Sequence, residues 1–300
     1  MKKKILSSLF PIIILILCII VLKAELLNKN INSVDDLRNV AIENRPTISA
    51  AAAITLDVTN NKILYKKHIH EKLPPASTTK LLTAQIFAEH FSPEDDVMYT
   101  RRCKEQPEYK LNLKVGETMN AKDVMDAVML YSANDMAEAM GENSNRSLET
   151  FNQTTGKNSN ESLESFVQAM NEKVSSLGLK ESHFMNPIGL DDEEHYTTAY
   201  DLVNIAKEAY KYPWIMDTMK KKVSTINTSK GKISLENRNK LVGINGCIGG
   251  KTGYTSRAGK CLVCFYEINN RKMIGVVLNS QDDNTVFEDM ERIIRWSYKK

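Results

Sequence analysis

The chain has almost no net charge once its first residues are set aside. Lys2, Lys3, Lys4 and Lys23 stand without an acid in the first 23 residues. Taking those four from the 40 basic residues leaves 36 against 37 acidic ones, a balance of −1. That excludes the basic field a nucleic-acid binder needs. Cysteine is scarce as well, five in 300 residues, which excludes a disulfide framework as the basis of the fold. Histidine is equally rare. His183 and His195 flank a run of acids, but no second pair with metal-ligand spacing accompanies them, so no metal site is expected. A phosphate loop is missing too. Gly250-Lys251-Thr252 matches the end of one, yet Asn245 stands where its first glycine belongs, and a turn and strand follow instead of a helix.

What is present is ordinary globular material, 42% hydrophobic and 26% charged, enough for a sizeable core. A basic head precedes a charge-free apolar run from Ile5 to Leu22. Such a run is an export signal or a membrane anchor and stays outside fold reasoning. No small-x-small cleavage site follows it, which favours an uncleaved anchor over a cleaved signal. The lysines place its start in the cytoplasm and the body outside. Residues 24–46 read as a linker, with helical character over Asp35–Ala41.

From Ile48 the pattern alternates around Asn60-Asn61, predicting a hairpin. Pro74 and Pro75 keep the approach extended, and a helix begins at Ser77. Helical spacing predicts helices over Ala121–Tyr131, Asp135–Met140, Leu163–Leu177 and Asn284–Tyr298, with another opening at Thr198. Residues 141–165 are rich in Ser and Asn and read as an inserted surface loop. After residue 221, KKVSTINT, KISLENR, GCIGGKTGYT, CLVCFYEI and KMIGVVLNS are strand candidates. Cys261 and Cys264 lie inside one of them and point to opposite faces as core residues, while a Cys247–Cys261 disulfide stays open. Strands at both ends with helices between predict an α/β (α+β) unit. Its mainly antiparallel sheet is flanked by helices, and a helical lobe is inserted after the Ser77 helix.

Three short motifs carry chemistry: Ser77-x-x-Lys80, Ser132-Ala133-Asn134 and Lys251-Thr252-Gly253. Residues three apart share a helix face, so Ser77 and Lys80 present a hydroxyl beside an amine. A part-buried Lys80 close to a second cation, Lys251, loses its proton readily and can take one from Ser77. Ser132 can relay a proton to a leaving amine, Asn134 can hold an amide, and Thr252 with Lys251 can hold a carboxylate. Glycines at 249, 250 and 253 let the strand approach a substrate backbone.

This set resembles the signature of penicillin-binding proteins and serine β-lactamases. PPASTTKLLTA, YSANDMAEAM, LGLKESHFMNPIGLDD, HYTTAYDL and GGKTGYTSRAGKCLV are more similar to low-molecular-mass D-alanyl-D-alanine carboxypeptidases, from about Ile48 to the last helix. The resemblance implies a β-lactamase/DD-peptidase-like fold over residues 47–300. It implies Ser77 as acylated nucleophile, Lys80 as base and Ser132 beside them. Asn134, Lys251, Thr252, Gly253 and Tyr254 would bind substrate, with the N–H groups of Ser77 and Tyr254 forming an oxyanion hole. It implies no cofactor, a peptidoglycan stem peptide ending in D-Ala-D-Ala as substrate, and β-lactam antibiotics as covalent inhibitors. Of the second domain that many relatives carry, none is expected within these 300 residues. A serine β-lactamase and a non-catalytic penicillin-binding sensor are the competing readings. Glu193 and Glu194 are the loop acids a β-lactamase would need, but no motif surrounds them.

Overall fold

The computed structural model describes residues 45–144 and 159–300. The expected anchor over 1–23, most of the linker and the centre of the inserted loop lie outside the described residues. Among the described residues no helix is long and apolar enough to cross a membrane.

Largely apolar runs, buried on both faces in the central strands, build a five-stranded antiparallel sheet from the two ends of the unit Ile48–Lys300. Its strands are β1 (Ala52–Asp57), β2 (Lys62–Lys67), β7 (Cys247–Thr255), β8 (Gly259–Ile268) and β9 (Arg271–Ser280), in the order β2-β1-β9-β8-β7. The first and last segments meet directly, Ile54 opposite Val276 and Ala52 opposite Leu278. Strand β8 is buried on both sides. Leu262, Cys264 and Tyr266 join the core under the last helix, and Val263 and Phe265 join the larger core on the opposite face.

The helices are α1 (Lys80–His90), α2 (Arg101–Glu105), α3 (Ala121–Asp126), α4 (Asn134–Ser144), α5 (Ser159–Ser176), α6 (Ala199–Glu208), α7 (Pro213–Met219) and α8 (Asp283–Tyr298). Helix α8 covers one sheet face with Val286, Met290, Ile293 and Ile294. Helices α1, α3, α4 and α6 contribute to the core on the other face. Helix α1 is buried from Lys80 to Phe87, as expected of a helix enclosed on all sides. Leu81 and Ala84 join the sheet core, while Leu82 and Ile86 pack on Phe166, Met170 and Val174 of α5.

Several expectations shift. The helix expected from Ser77 begins as a 3₁₀ turn, Ala76–Thr79, and becomes α-helical at Lys80. The helix expected over Ala121–Tyr131 ends its α-helical part at Asp126, and Ala127–Tyr131 form a π-helical turn. The segment expected as a loop over 141–165 is helical at both ends. Gly141–Ser144 complete α4 and are buried, and α5 starts at Ser159. Burial of Glu142 and Asn143 against other polar groups keeps α4 going where composition pointed to a loop. Asn143 exchanges hydrogen bonds with the Met98 backbone at 3.1 and 3.0 Å. The strands β5 (Val223–Thr228) and β6 (Gly231–Glu236) form a separate two-stranded hairpin, with Ile226 and Leu235 turned into the larger core. The short strands β3 (Asp96–Met98) and β4 (Thr118–Asn120) pair in the helical lobe.

Among the described residues the cysteines, Cys103, Cys247, Cys261 and Cys264, are free and buried. Cys247 stands opposite Tyr266 and Cys261 opposite Gly253, so five residues of β8 separate the two positions. That is ~17 Å at the rise of a strand, and the open question of a Cys247–Cys261 bond closes in the negative.

Candidate active site

The turn that carries Ser77 is set by its neighbours. Pro74 and Pro75 fix the approach, Ala76 takes φ +48°, and Thr78 donates its N–H and its hydroxyl to the Pro75 carbonyl at 3.3 and 2.6 Å. Lys80 then opens α1 with its amine buried among polar atoms. Nζ lies 2.8 Å from Ser77 Oγ, 2.9 Å from Asn134 Oδ1 and 2.8 Å from the Ile188 carbonyl. Burial pushes the Lys80 amine well below the ordinary lysine value, and the charges of Lys251 and Arg238 push the same way, while Asp135 opposes them.

Ser132 and Asn134 come from the junction of α3 and α4. The π turn leaves Ser132 at φ +68°, ψ +32°, a left-handed conformation uncommon for serine. The next amide, Ala133 N–H, reaches back to the Ala127 carbonyl at 3.0 Å, and Asn134 N–H bonds the Tyr109 carbonyl at 2.7 Å. One extra residue in the turn thereby aims Ser132 at the sheet edge. There the Lys251 amine donates to Ser132 Oγ at 2.8 Å and to the Thr252 carbonyl at 2.9 Å. Lys251 is buried, and burial together with Arg238 pushes it down to about 7.

Strand β7 is a sheet edge and runs past the Ser77 turn. A side-chain carbon at Gly253 would stand 3.0 Å from the amide nitrogens of both Ser77 and Thr78. The strand therefore approaches the turn only because residue 253 has no side chain. Thr252, Gly253 and Tyr254 line an open cleft of about 450 Å³ with Ser77 and Ser132. The ring of Tyr254 is exposed, with the Lys260 amine 3.8 Å from its centroid.

The structure thus brings every expected residue to one place, with two differences in detail. Asn134, expected to hold a substrate amide, has both ends engaged, since its Nδ2 donates to the Glu108 carbonyl at 2.6 Å. Lys251, expected to face a carboxylate, is turned onto Ser132. The sequence reading missed Arg238, which lines the same cleft, bonds the Leu130 carbonyl through its N–H and lies 4.1 Å over the Tyr109 ring. A lone arginine in the polar stretch after β6 carries no signal of its own. Glu193 and Glu194 are exposed. His183 is bound at Nδ1 to the Glu194 carbonyl at 2.7 Å, and His195 is buried beside Thr79.

This architecture is that of the DD-peptidases and β-lactamases. The Streptomyces K15 DD-transpeptidase aligns over 86% of this chain and all of its own, with TM-score 0.77 and 25% identity. Ampicillin-bound penicillin-binding protein D2 of Listeria monocytogenes aligns over 85% of this chain and all of its own, with TM-score 0.71 and 27% identity. The model of the D-alanyl-D-alanine carboxypeptidase family matches residues 39–282, and the chain belongs to that family. It is 32% identical to the D-alanyl-D-alanine carboxypeptidase DacF of Bacillus subtilis, over 77% of this chain and 57% of that protein's length. It is 29% identical to a D-alanyl-D-alanine endopeptidase of Escherichia coli, over 84% of this chain and 78% of that one.

Proposed function

We propose that the chain is a serine-type D-Ala-D-Ala carboxypeptidase that removes the terminal D-alanine from peptidoglycan stem peptides through an acyl-enzyme. The observation that carries this reading is the buried Lys80 amine, 2.8 Å from the Ser77 hydroxyl, with burial and the nearby cations disfavouring its ammonium form. A neutral amine has two hydrogens and one lone pair. Asn134 Oδ1 and the Ile188 carbonyl accept hydrogen bonds and cannot donate them, so the two hydrogens go there. The lone pair is left for the Ser77 O–H.

In the reaction Lys80 takes the Ser77 proton as Oγ attacks the carbonyl of the penultimate residue. Backbone N–H groups of Ser77 and Tyr254 stabilise the oxyanion, where one such donor contributes about 3 kcal/mol. Ser132, held by the Lys251 amine, passes a proton to the departing D-alanine nitrogen and takes back the one that Lys80 carries, so that Lys80 returns to the neutral amine. Thr252 and Arg238 take the terminal carboxylate. Water then adds to the ester as the neutral Lys80 accepts its proton, and that proton passes to Ser77 Oγ as the acyl group leaves, which restores both residues. A β-lactam enters the same path and stops at the ester. The chain acts outside the cytoplasm, on the cell wall, tethered by residues 5–22.

Mass spectrometry of the intact protein with and without penicillin tests this, together with D-alanine release from a D-Ala-D-Ala peptide. The expected result is one adduct on Ser77, D-alanine release by the wild type, and neither with Ser77→Ala. Release of D-alanine by Ser77→Ala refutes the mechanism. Rapid penicillin turnover makes the protein a β-lactamase instead, and an adduct without peptide hydrolysis makes it a sensor. The same spectrum reads the mature N-terminus.

A further inference from the structure

The direction of the Lys80 lone pair depends on a backbone carbonyl in the segment between α5 and α6. Asn186 organises that segment. Its Oδ1 accepts the N–H groups of Ile188, Gly189 and Leu190 at 3.2, 2.7 and 3.0 Å. Its Nδ2 donates to the Leu190 carbonyl at 3.2 Å and to His195 Nδ1 at 3.3 Å. His195 Nδ1 also accepts from Met185 N–H at 3.3 Å, so the ring proton sits on Nε2, 3.1 Å from Thr79 Oγ1. Burial pushes His195 down to about 4, which keeps the ring neutral and Nδ1 an acceptor.

Helix α1 grips the same segment from the other side. Thr83 Oγ1 donates to the Pro187 carbonyl at 2.7 Å, one turn from Lys80. A side-chain carbon at Gly189 would stand 1.9 Å from the Ala76 carbonyl oxygen, so the segment lies directly against the Ser77 turn. At the far end Thr255 donates to Asp191 at 2.7 Å, linking the segment to β7.

We propose that Asn186 is a positioning residue for the reaction. It gathers three amides on one oxygen and thereby holds the Ile188 carbonyl against the Lys80 amine, fixing where that amine offers its lone pair. His195 holds the Asn186 amide in the orientation this needs. Neither residue touches the reacting atoms. The inference rests on Lys80 being the base.

The charged groups that face Lys80 are Lys251 from β7, Arg238 from the stretch after β6 and Asp135 from α4. Asn186→Asp adds a carboxylate to this set, facing His195 as well, and keeps an oxygen to gather the amides while losing the Nδ2 donor to His195 and Leu190. The test is the rate of Ser77 acylation by penicillin across pH, resolved into the non-covalent binding constant and the limiting acylation rate. Asn186→Ala is expected to lower the limiting rate about tenfold to a hundredfold, the range for a misplaced reacting group, with the binding constant unchanged. Asn186→Asp is expected to recover most of that rate and to move the rising limb of the profile to higher pH, since a nearby negative charge favours the ammonium. An Asn186→Ala protein with a lower melting temperature but a wild-type limiting rate overturns the inference. If Asn186→Ala does not fold, an Asn186→Asp profile identical to wild type overturns it. Wild-type protein that forms no adduct on Ser77 overturns the underlying reading instead, so the two failures are distinct.

Discussion

Adding one methyl group at Gly253 tests whether β7 and the Ser77 turn form the two walls of the site. The backbone at 253 has no left-handed φ, so alanine is accepted there without conformational strain. The cost is contact alone. The new carbon meets Ser77 N and Thr78 N at 3.0 Å and Ala76 Cβ at 3.1 Å. Ordinary carbon contacts sit at about 3.5–4.0 Å, so the gap must open by roughly half an ångström. Overpacking of this kind costs about 1–3 kcal/mol, and the stiffer unfolded chain of alanine returns about 0.4–1 kcal/mol. The net loss, at most about 2.6 kcal/mol, lowers the melting temperature by up to roughly 10 °C at this size. Acylation suffers more, because the opening falls between the nucleophile and the strand that presents the carbonyl. A rate loss of about tenfold to a hundredfold is expected. Stopped-flow acylation by a chromogenic penicillin, beside a thermal melt, separates the two effects. Gly253→Ala acylating at the wild-type rate would show that strand and turn do not act together, and the proposed oxyanion pair of Ser77 and Tyr254 would fall with it.

Two other outcomes follow from buried groups. In the folded protein Lys251 holds its proton only below about 7, whereas an unfolded chain keeps a lysine proton to about 10.4. Between those values the unfolded state binds the extra proton, so stability rises with pH by about 1.4 kcal/mol per unit relative to Lys251→Met. Urea unfolding of both proteins at pH 7, 8 and 9 measures this slope, and parallel curves refute it. The thiols of Cys103, Cys247, Cys261 and Cys264 are free and buried, and burial pushes Cys103 and Cys261 up to about 12. A thiol-reactive disulfide reagent is therefore expected to react with these cysteines only after denaturation. Prompt reaction of the native protein, or missing thiols after unfolding, contradicts the structure.

The parts of this site legible in sequence were those a short spacing encodes. Ser77 and Lys80 sit on one helical face because they are three residues apart, and KMIGVVLNS is a near-continuous apolar run because β9 is clamped between two cores. Illegible were contributions made by backbone or by long-range approach. The Ile188 carbonyl has no residue-type signature, and nothing near Arg238 says that it will lie in the cleft. His195 gave no sign in sequence of the part it plays, bracing a loop through Asn186 and Thr79. The β5–β6 hairpin read as strand correctly, but its separation from the main sheet depends on partners that local alternation does not name. The continuation of α4 through Glu142 and Asn143 was hidden because their burial depends on contacts with residues more than forty positions earlier in the chain, such as Met98.

The π turn at Ala127–Tyr131 makes the position of Ser132 a matter of counting. Each residue of an α-helix turns the chain by about 100°, so the one residue that distinguishes this turn from α-helix sets the bearing of everything after it. Its side chains can vary in kind so long as they fill the same space. Its length cannot. A deletion of one residue there would restore regular helix, point the serine at position 132 away from Lys251, and shift Asn134 off Lys80, taking the Ser132-Ala133-Asn134 motif out of contact with both of the others without altering a residue in any of them. Variation among chains built this way is then expected as substitution along Ala127–Tyr131, with insertions and deletions displaced to the far end of α4.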